Sequence, residues 1–345
     1  MLRELAYRAA QTAPARFAVS QLGSAVRMPF GEVPRSASPR RVLVVVTVDT
    51  EGGYVERGER RVWQGSAPRA FQGYVDGIRN VLDLLDRHRV KGTFFVAPHG
   101  LSATGSTLTS VERAIATIPR GGHEIGLHLH PSSDVALARR IGRSFASGSA
   151  RDLEQTDLEG LVLTGRALLE EILDPGTTLE AFRWGNWALD ERAARVVAAA
   201  GFRVDSSCVP GLRDRRHARR PRFDWTRSRT IEPWPIAEGL LEVPIAMFRI
   251  LGRLCRADPL YGSLLSAALR RYRTHAPAAA DPRMPLVFVV MTHTTEATHQ
   301  DGSPTRVLSA LDDLLTLAGE LPEVEVVTLR EAVSELGLAR GGGRS

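Results

Sequence analysis

The stretch RRVLVVVTVDT, residues 40–50, decides the fold of this chain. Its run from Val42 to Val48 is apolar and mostly β-branched, which is typical of a strand buried on both faces. Strands of this kind belong to parallel sheets, because crossover helices cover both sides of such a sheet. The run ends abruptly in Asp49 and Thr50. We therefore expect a buried parallel strand that delivers polar side chains at its carboxyl end.

The pattern repeats along the chain. Further apolar runs alternate with segments of helical spacing, as in Phe71–Leu85. The predicted strands cover residues 42–48, 91–98, 123–131, 180–187, 201–208, 240–248, 285–293 and 324–329. This series predicts a distorted parallel (β/α) barrel of about seven strands. An open doubly wound sheet is the alternative, but no G-x-G-x-x-G sequence follows the first strand to support it.

The 345 residues divide into one large domain with short ends. Residues 1–40 finish in a linker rich in Pro, Ser and Arg, and we interpret them as an N-terminal extension. Residues 41–338 form the predicted barrel domain, and residues 339–345 a flexible tail. With 43% hydrophobic and 24% charged residues, the composition is ordinary for a globular enzyme.

Basic residues outnumber acidic ones, and they are nearly all arginine. The net charge is +6, and Lys91 is the one lysine. Arginine suits carboxylate and phosphate, although codon bias also produces a uniform excess of arginine. No signature of a nucleic-acid-binding module occurs, so we expect no nucleic-acid partner. Cys208 and Cys255 stand far apart, outside any C-x-x-C, which indicates reduced structural cysteines.

The N-terminal segment gives the sequence-based prediction of where the protein is located in the cell. No run of 18 apolar residues occurs, so we expect no transmembrane helix. Arg3, Arg8 and Arg16 interrupt the apolar core that a secretory signal needs, which favours a cytoplasmic location. Residues 1–26 could lie on a membrane surface as a basic amphipathic helix, and a loose extension is the alternative.

Ionisable side chains stand where the predicted strands end. Asp49 and Glu51 are two residues apart, as are His128 and His130, so each pair shares one face of an extended chain. Other strand regions contribute Arg183, Asp205 and His293. In a barrel these ends meet at one rim. Two imidazoles with a carboxylate form a zinc-type ligand set that leaves a position for water. Taken singly, an H-x-H pair is common, and an Asp at a strand end often caps a helix.

These motifs resemble the polysaccharide deacetylase family, the NodB-homology carbohydrate esterases, over residues 42–335. The similar segments are TVDT after the first strand, KGTFFV, GHEIGLHLHP, FRWGN with Arg183, GFRVDSS with Asp205, and VMTH with His293. The resemblance implies the distorted barrel of that family. It also implies a divalent metal, most simply zinc, and a carbohydrate substrate.

Two departures mark a divergent branch. Thr50 occupies the place of an aspartate that binds the metal in the family. The two histidines are spaced i, i+2 rather than i, i+4. We interpret the pattern as a variant site in which Glu51 supplies the missing carboxylate beside His128 and His130. In the alternative, Asp49 itself binds the metal.

The resemblance implies hydrolysis of the acetamido group of an N-acetylated sugar. Asp49 would accept the proton of the attacking water, and Arg183 would keep that carboxylate ionised. His293 would protonate the departing amine. Asp205 would orient His293 or support the site from a second layer.

Several further residues are candidates for substrate binding. Asn186 is one, and Trp184, Trp187, Trp225 and Trp234 could stack on sugar rings, with core packing as the alternative for each tryptophan. The arginine-rich insertion at residues 213–229 is either a solvated loop or a surface that meets an anionic glycan or a lipid-linked phosphate.

Two other functions stay open at this point. The same barrel supports hydrolysis of other non-peptide C–N bonds, as in ureides. A catalytically impaired homologue that only binds glycan is the third possibility, and Thr50 is the reason to consider it.

Overall fold

The computed structural model describes residues 23–31, 33–34, 41–57, 60–63, 65, 67–215, 217, 219–276 and 284–337. Most of the predicted N-terminal extension and all of the predicted tail lie outside the described residues. The proposed domain boundaries therefore stay predictions.

One curled, mostly parallel sheet forms the centre of the protein. The strands in chain order are β1 (Val42–Thr50), β2 (Thr93–Val96), β3 (Glu124–Leu129), β4 (Ala181–Trp184), β5 (Val204–Asp205), β6 (Trp234–Ala237), β7 (Leu240–Glu242), β8 (Leu286–His293) and β9 (Val324–Val327). Their spatial order is β6-β7-β5-β4-β3-β2-β1-β8, with β9 paired to the first half of β1. Only β6 runs antiparallel to its neighbour. The predicted distorted parallel (β/α) barrel is confirmed.

Strand β1 is enclosed on both edges. Strand β8 pairs with it from Val42 to Asp49. The other edge is shared, since β9 pairs with the first half of β1 and β2 with residues Thr47–Thr50. All nine residues of β1 are buried. The continuous apolar run therefore forms a strand that is buried along its whole length, and Asp49 and Thr50 lie at its carboxyl end.

The two faces of the sheet carry separate cores. Val44 and Val46 of β1 point to the outer core beneath the helices, whereas Leu43 and Val45 belong to the inner core. Alternation along a strand then places Asp49 on the inner face. In the same way β3 sends Leu127 and Leu129 outward and His128 inward.

Helices cover the outer face of the sheet, except for the last one, Leu329–Glu335, whose buried residues belong to the inner core. They are α1 (Ile78–Arg87), α2 (Gly105–Arg120), α3 (Val135–Ile141), α4 (Gln155–Glu170), α5 (Glu191–Ala199), α6 (Ser263–Thr274), α7 (Thr294–Ala297), α8 (Arg306–Glu320) and α9 (Leu329–Glu335). The segment before α1 is a 3-10 turn, Pro68–Phe71, followed by a π-helix, Gly73–Gly77. Further 3-10 turns span Pro98–Ser102, Ala150–Asp152, Gly185–Trp187 and Pro259–Tyr261. Among the described helices, none has the length and apolarity required to cross a bilayer.

Short antiparallel strands pair outside the central sheet. Val26–Arg27 pairs with Met247–Ile250, which in turn pairs with Arg253–Arg256. The other two pairs join Val33–Pro34 to His275–Ala276 and Tyr54–Arg57 to Arg60–Trp63. Val26 and Met28 are buried in the outer core. This part of the predicted extension therefore packs against the barrel.

Candidate metal and acid–base site

Three side chains at the rim place metal-ligating atoms close together. The Nε2 atoms of His128 and His130 are 3.0 Å apart. Glu51 Oε2 lies 3.1 Å from Nε2 of His130 and 3.9 Å from that of His128. All three ligand atoms fall within 4.8 Å of one another. Two ligands bound about 2.0–2.1 Å from a tetrahedral zinc lie about 3.3 Å apart. The triad could therefore hold a small divalent metal ion.

The backbone fixes the orientation of His128. Its Nδ1 is 2.9 Å from the carbonyl oxygen of Arg183. Because a carbonyl only accepts, Nδ1 carries the proton and donates, which leaves the lone pair on Nε2 toward the triad. Burial lowers the pKa of His128 to about 4, against the opposing effect of Asp49. The imidazole is thus neutral and suited to bind a metal.

Burial and hydrogen bonding have opposite effects on the pKa values of Glu51 and His130. Burial opposes ionisation of both groups. Their hydrogen bond and the charges around them together outweigh burial, so the pKa of Glu51 falls to about 2 and the pKa of His130 is raised. A bound cation would take the place of protons on these ligand atoms, as expected where ligands must lose protons to bind metal.

Close backbone packing brings Glu51 to the rim. Its N–H donates to Thr294 Oγ1 at 3.2 Å. A Cβ at Gly73 would lie 2.4 Å from the carbonyl oxygen of Glu51, and one at Gly77 would lie 2.5 Å from that of Thr294. The π-helix that carries both glycines can therefore approach the two segments that follow β1 and β8. Such π-helical turns often occur at functional sites.

A strained turn after β4 supports His130. Asn186 and Trp187 both have left-handed backbones, with φ of 54° and 55°, a conformation that costs energy in residues other than glycine. Asn186 Nδ2 lies 3.4 Å from His130 Nδ1. A Cβ at Gly185 would lie 2.5 Å from the His130 ring. The turn thus shapes the wall against which this imidazole rests.

Asp49 is locked by Arg183. The Arg183 Nη1 donates to Asp49 Oδ1 at 2.6 Å, while its remaining donors reach Thr47 and Ser206. Burial would raise the pKa of Asp49, but the charges of Arg183, His128 and His293 lower it to about 2. Asp49 is therefore ionised at neutral pH. Its Oδ2 lies 3.8 Å from Nε2 of both His128 and His293.

His293 is held in the opposite protonation state. Its Nδ1 lies 2.8 Å from Glu296 Oε2. Burial would lower the pKa of His293, yet the charge and hydrogen bond of Glu296, with the charges of Glu51 and Asp49, outweigh it and raise the pKa to about 10. Glu296 did not emerge as a candidate from the sequence, although it lies three residues after His293 at the start of a helix, where it shares the same side.

Of the two roles predicted for Asp205, orienting His293 has no support in the contacts of the described residues. Its carboxylate accepts from the N–H and Oγ of Ser207. Among the described residues it has no hydrogen bond or ion pair to His293. Burial raises the pKa of both Asp205 and the neighbouring Glu242, and the charge of Asp205 raises that of Glu242 further. Its other predicted role, support from a second layer, remains a prediction.

The predicted sugar-binding residues lie in different environments. Trp184 is fully buried in the outer core, where Nε1 donates to Gly148 O at 2.8 Å. The prediction that Trp184 stacks on a sugar ring is therefore wrong, because its ring packs beneath the helices.

Trp187 is half-buried beside Asn186, and Trp225 Nε1 donates to the Trp187 carbonyl at 2.9 Å. Trp234 is half-buried on strand β6. The binding roles of Asn186, Trp187, Trp225 and Trp234 stay predictions.

Comparison with known proteins bears on the fold. No family profile and no curated protein matches the sequence. A candidate polysaccharide deacetylase from Mycobacterium smegmatis has a TM-score of 0.53 at 16% identity, over 91% of this chain and 96% of that one. A second candidate, from Pseudomonas aeruginosa PAO1, has a TM-score of 0.53 at 13% identity, over 88% and 93%. PuuE allantoinase has a TM-score of 0.55 at 12% identity, over 91% and 100%.

At identities this low, the TM-scores and the coverage show a common fold and nothing further. The chain has the NodB-like (β/α) barrel of the polysaccharide deacetylases, as the sequence motifs predicted. PuuE allantoinase shares that fold too. The reaction must therefore be argued from the side chains at the rim.

Proposed function

We propose that this protein is a zinc-dependent hydrolase that removes an acetyl group from an N-acetylated sugar of a glycan or glycan precursor. The observation that carries the proposal is the meeting of three elements at one rim. These are the triad of Glu51, His128 and His130, the ionised Asp49 and the protonated His293.

Two groups of opposite protonation state suit cleavage of an amide. A zinc ion bound by the triad would polarise the carbonyl and acidify water. Asp49 Oδ2 is free of Arg183, so it can accept a proton from the attacking water. His293 carries a proton on Nε2, 3.8 Å from the same oxygen, and can give it to the departing nitrogen. The C–O bond forms as water adds to the carbonyl carbon and gives a proton to Asp49. The C–N bond then breaks as His293 protonates the nitrogen, and the products are the sugar amine and acetic acid, which ionises to acetate.

The second candidate is hydrolysis of a different non-peptide C–N bond. The likeness to PuuE allantoinase keeps this reading open. The same acid, base and metal ligands would serve it, so the substrate has to be identified by experiment. A glycan-binding homologue without activity is the third reading. A cytoplasmic location and membrane contact through residues 1–26 stay predictions.

The decisive experiment measures metal and product together. Zinc is quantified by mass spectrometry in purified and reconstituted protein, and acetate release is assayed on N-acetylated oligosaccharides. We expect near-stoichiometric zinc that is lost in His128→Ala and His130→Ala. His123→Ala is the control, because His123 is buried outside the site, with Nδ1 accepting from Gly92 N. Ammonia or urea release from ureides without acetate release would favour the second candidate. Absence of zinc after reconstitution would favour the binding protein.

A further inference from the structure

The net charge of the chain is concentrated in residues 213–229, called here the arginine segment. The whole chain has 45 Lys and Arg against 39 Asp and Glu. Eight of those arginines and two of those aspartates lie in the segment, so the rest of the chain is balanced at 37 of each. A uniform bias toward arginine does not explain this imbalance. The segment is locally and strongly cationic.

The arginine segment is attached to the body of the protein. Ser149 Oγ donates to Arg222 O at 2.7 Å, and Arg151 Nη1 donates to Pro221 O at 3.2 Å. Arg220 forms an ion pair with Asp152 at 2.5 Å. Its described residues therefore present charge from a defined position.

A second attachment joins the segment to the active-site rim. Trp225 Nε1 donates to Trp187 O, and the Phe223 ring stands edge-on to the Trp187 ring at 5.5 Å. Trp187 directly follows Asn186, whose amide is 3.4 Å from His130. The arginine segment thus adjoins the side of the rim that carries His130.

Most arginines of the segment are exposed and form no ion pair within the described structure. Arg213 and Arg220 pair with Asp224 and Asp152. The exposed arginines for which the described structure shows no ion pair are Arg215, Arg219, Arg222, Arg227 and Arg229. Exposed guanidinium groups bind carboxylate and phosphate groups well, and a cluster of one sign raises the local concentration of anionic ligands.

We infer that the arginine segment binds the anionic groups of an acidic glycan and thereby selects the substrate of the neighbouring site. This inference rests on the proposed function. The shared chemistry is a sugar chain that carries N-acetyl groups together with carboxylate or phosphate groups. A glycan is favoured over a membrane or a nucleic acid, because the segment is fixed to the turn beside His130 and brings half-buried aromatic rings to the same place.

The test compares two probes of equal length. Hyaluronan oligosaccharides carry both N-acetyl and carboxylate groups, whereas chitin oligosaccharides carry N-acetyl groups alone. We expect the protein to bind the hyaluronan probe at least about tenfold more tightly at low salt, with the preference shrinking as salt screens the charges. In a variant with Arg215, Arg219, Arg222 and Arg227 changed to Gln, that preference should vanish while chitin binding stays within about twofold.

A matched control removes the same charge elsewhere. Arg113, Arg195, Arg203 and Arg270 are also exposed, on α2, α5, the approach to β5 and α6. Their joint change to Gln should preserve the preference for hyaluronan. Equal losses in both variants would show general charge attraction and overturn the inference. So would a segment variant that loses binding to phosphatidylglycerol vesicles or single-stranded DNA but keeps binding to hyaluronan.

Binding and turnover separate the two proposals. Loss of hyaluronan preference in the segment variant, with no acetate released from any probe, would support the inference as a binding site and refute the proposed function. Acetate release from chitin oligosaccharides without any preference for hyaluronan would refute the inference alone.

Discussion

Arg183 and Asp49 form an ion pair sealed from solvent, with Nη1 2.6 Å from Oδ1. Arg183 is 0% exposed and Asp49 is 3% exposed. The guanidinium also lies 4.2 Å from the centre of the Phe95 ring. One carboxylate oxygen is thereby used for structure, and the other remains directed at His128 and His293. The pair thus joins the stability of the barrel to its proposed chemistry.

Arg183→Met should destabilise the fold, since it leaves Asp49 buried without its partner. We expect the free energy of unfolding to fall by about 3–5 kcal/mol, measured by urea denaturation near neutral pH. The pKa of Asp49 is lowered from 3.8 to about 2. Its contribution is therefore present above about pH 4 and is lost as the pH falls toward 2. The variant should lose this part of the pH dependence, and unchanged stability would contradict the pairing.

Substitutions of Asp49 and Glu51 should have different effects on zinc binding. Glu51 contacts His130 directly, whereas Asp49 is engaged by Arg183. We expect Glu51→Gln to lose zinc. Asp49→Asn should retain zinc but lower kcat by about 10²–10⁴-fold, the usual contribution of a general base. The reverse pattern of zinc retention would assign the ligand role to Asp49.

His293 should set the alkaline limit of activity. Its pKa is raised from 6.5 to about 10, so the general acid stays protonated until the pH approaches 10. Glu296→Gln should move the alkaline limb of the kcat/KM profile to lower pH. The stability due to this pair is complete below about pH 6.5 and is lost as the pH rises through about 10. Asp205→Asn is the comparison, because Asp205 has no described contact with His293. A shift in Asp205→Asn alone would restore the original assignment.

Strand alternation accounts for most of what the sequence predicted. The register pairs His293 with Asp49 and His128 with Arg183 across adjacent strands. Strand pairing alone therefore brings these strand-end residues together. The same rule would have corrected Trp184. It neighbours Arg183 on β4, and if Arg183 faces the site then Trp184 must face the helices. Trp187 lies beyond the strand, where alternation no longer applies.

Features set by close packing could not be read from the same pattern. The apolar spacing of residues 71–85 predicts an α-helix, and the observed π-helix at Gly73–Gly77 is a single turn, too short to show in that pattern. What favours the π-helix is contact with Glu51 and Thr294, which are distant in sequence. Glu296 was missed for a related reason. Its role depends on how α7 begins after β8 ends, and the family resemblance pointed to Asp205 for this task.

Gly185→Ala should weaken metal binding through His130. The added Cβ would lie 2.5 Å from Nδ1 and Cε1 of His130 and 2.6 Å from Leu129 O, so the imidazole has to shift. Overpacking of this kind costs about 1–3 kcal/mol. We expect zinc affinity to fall by at least about tenfold, measured by competition with a chromophoric chelator.

Gly160→Ala controls for the loss of a glycine. Gly160 lies in α4, and an added Cβ there meets nothing within 4 Å. This variant should keep its zinc affinity and gain about 0.5–1 kcal/mol of stability from better helix propensity. If both variants bind zinc like the parent protein, His130 is not held by the turn at Gly185, and the ligand geometry must be maintained by Glu51 and His128 alone.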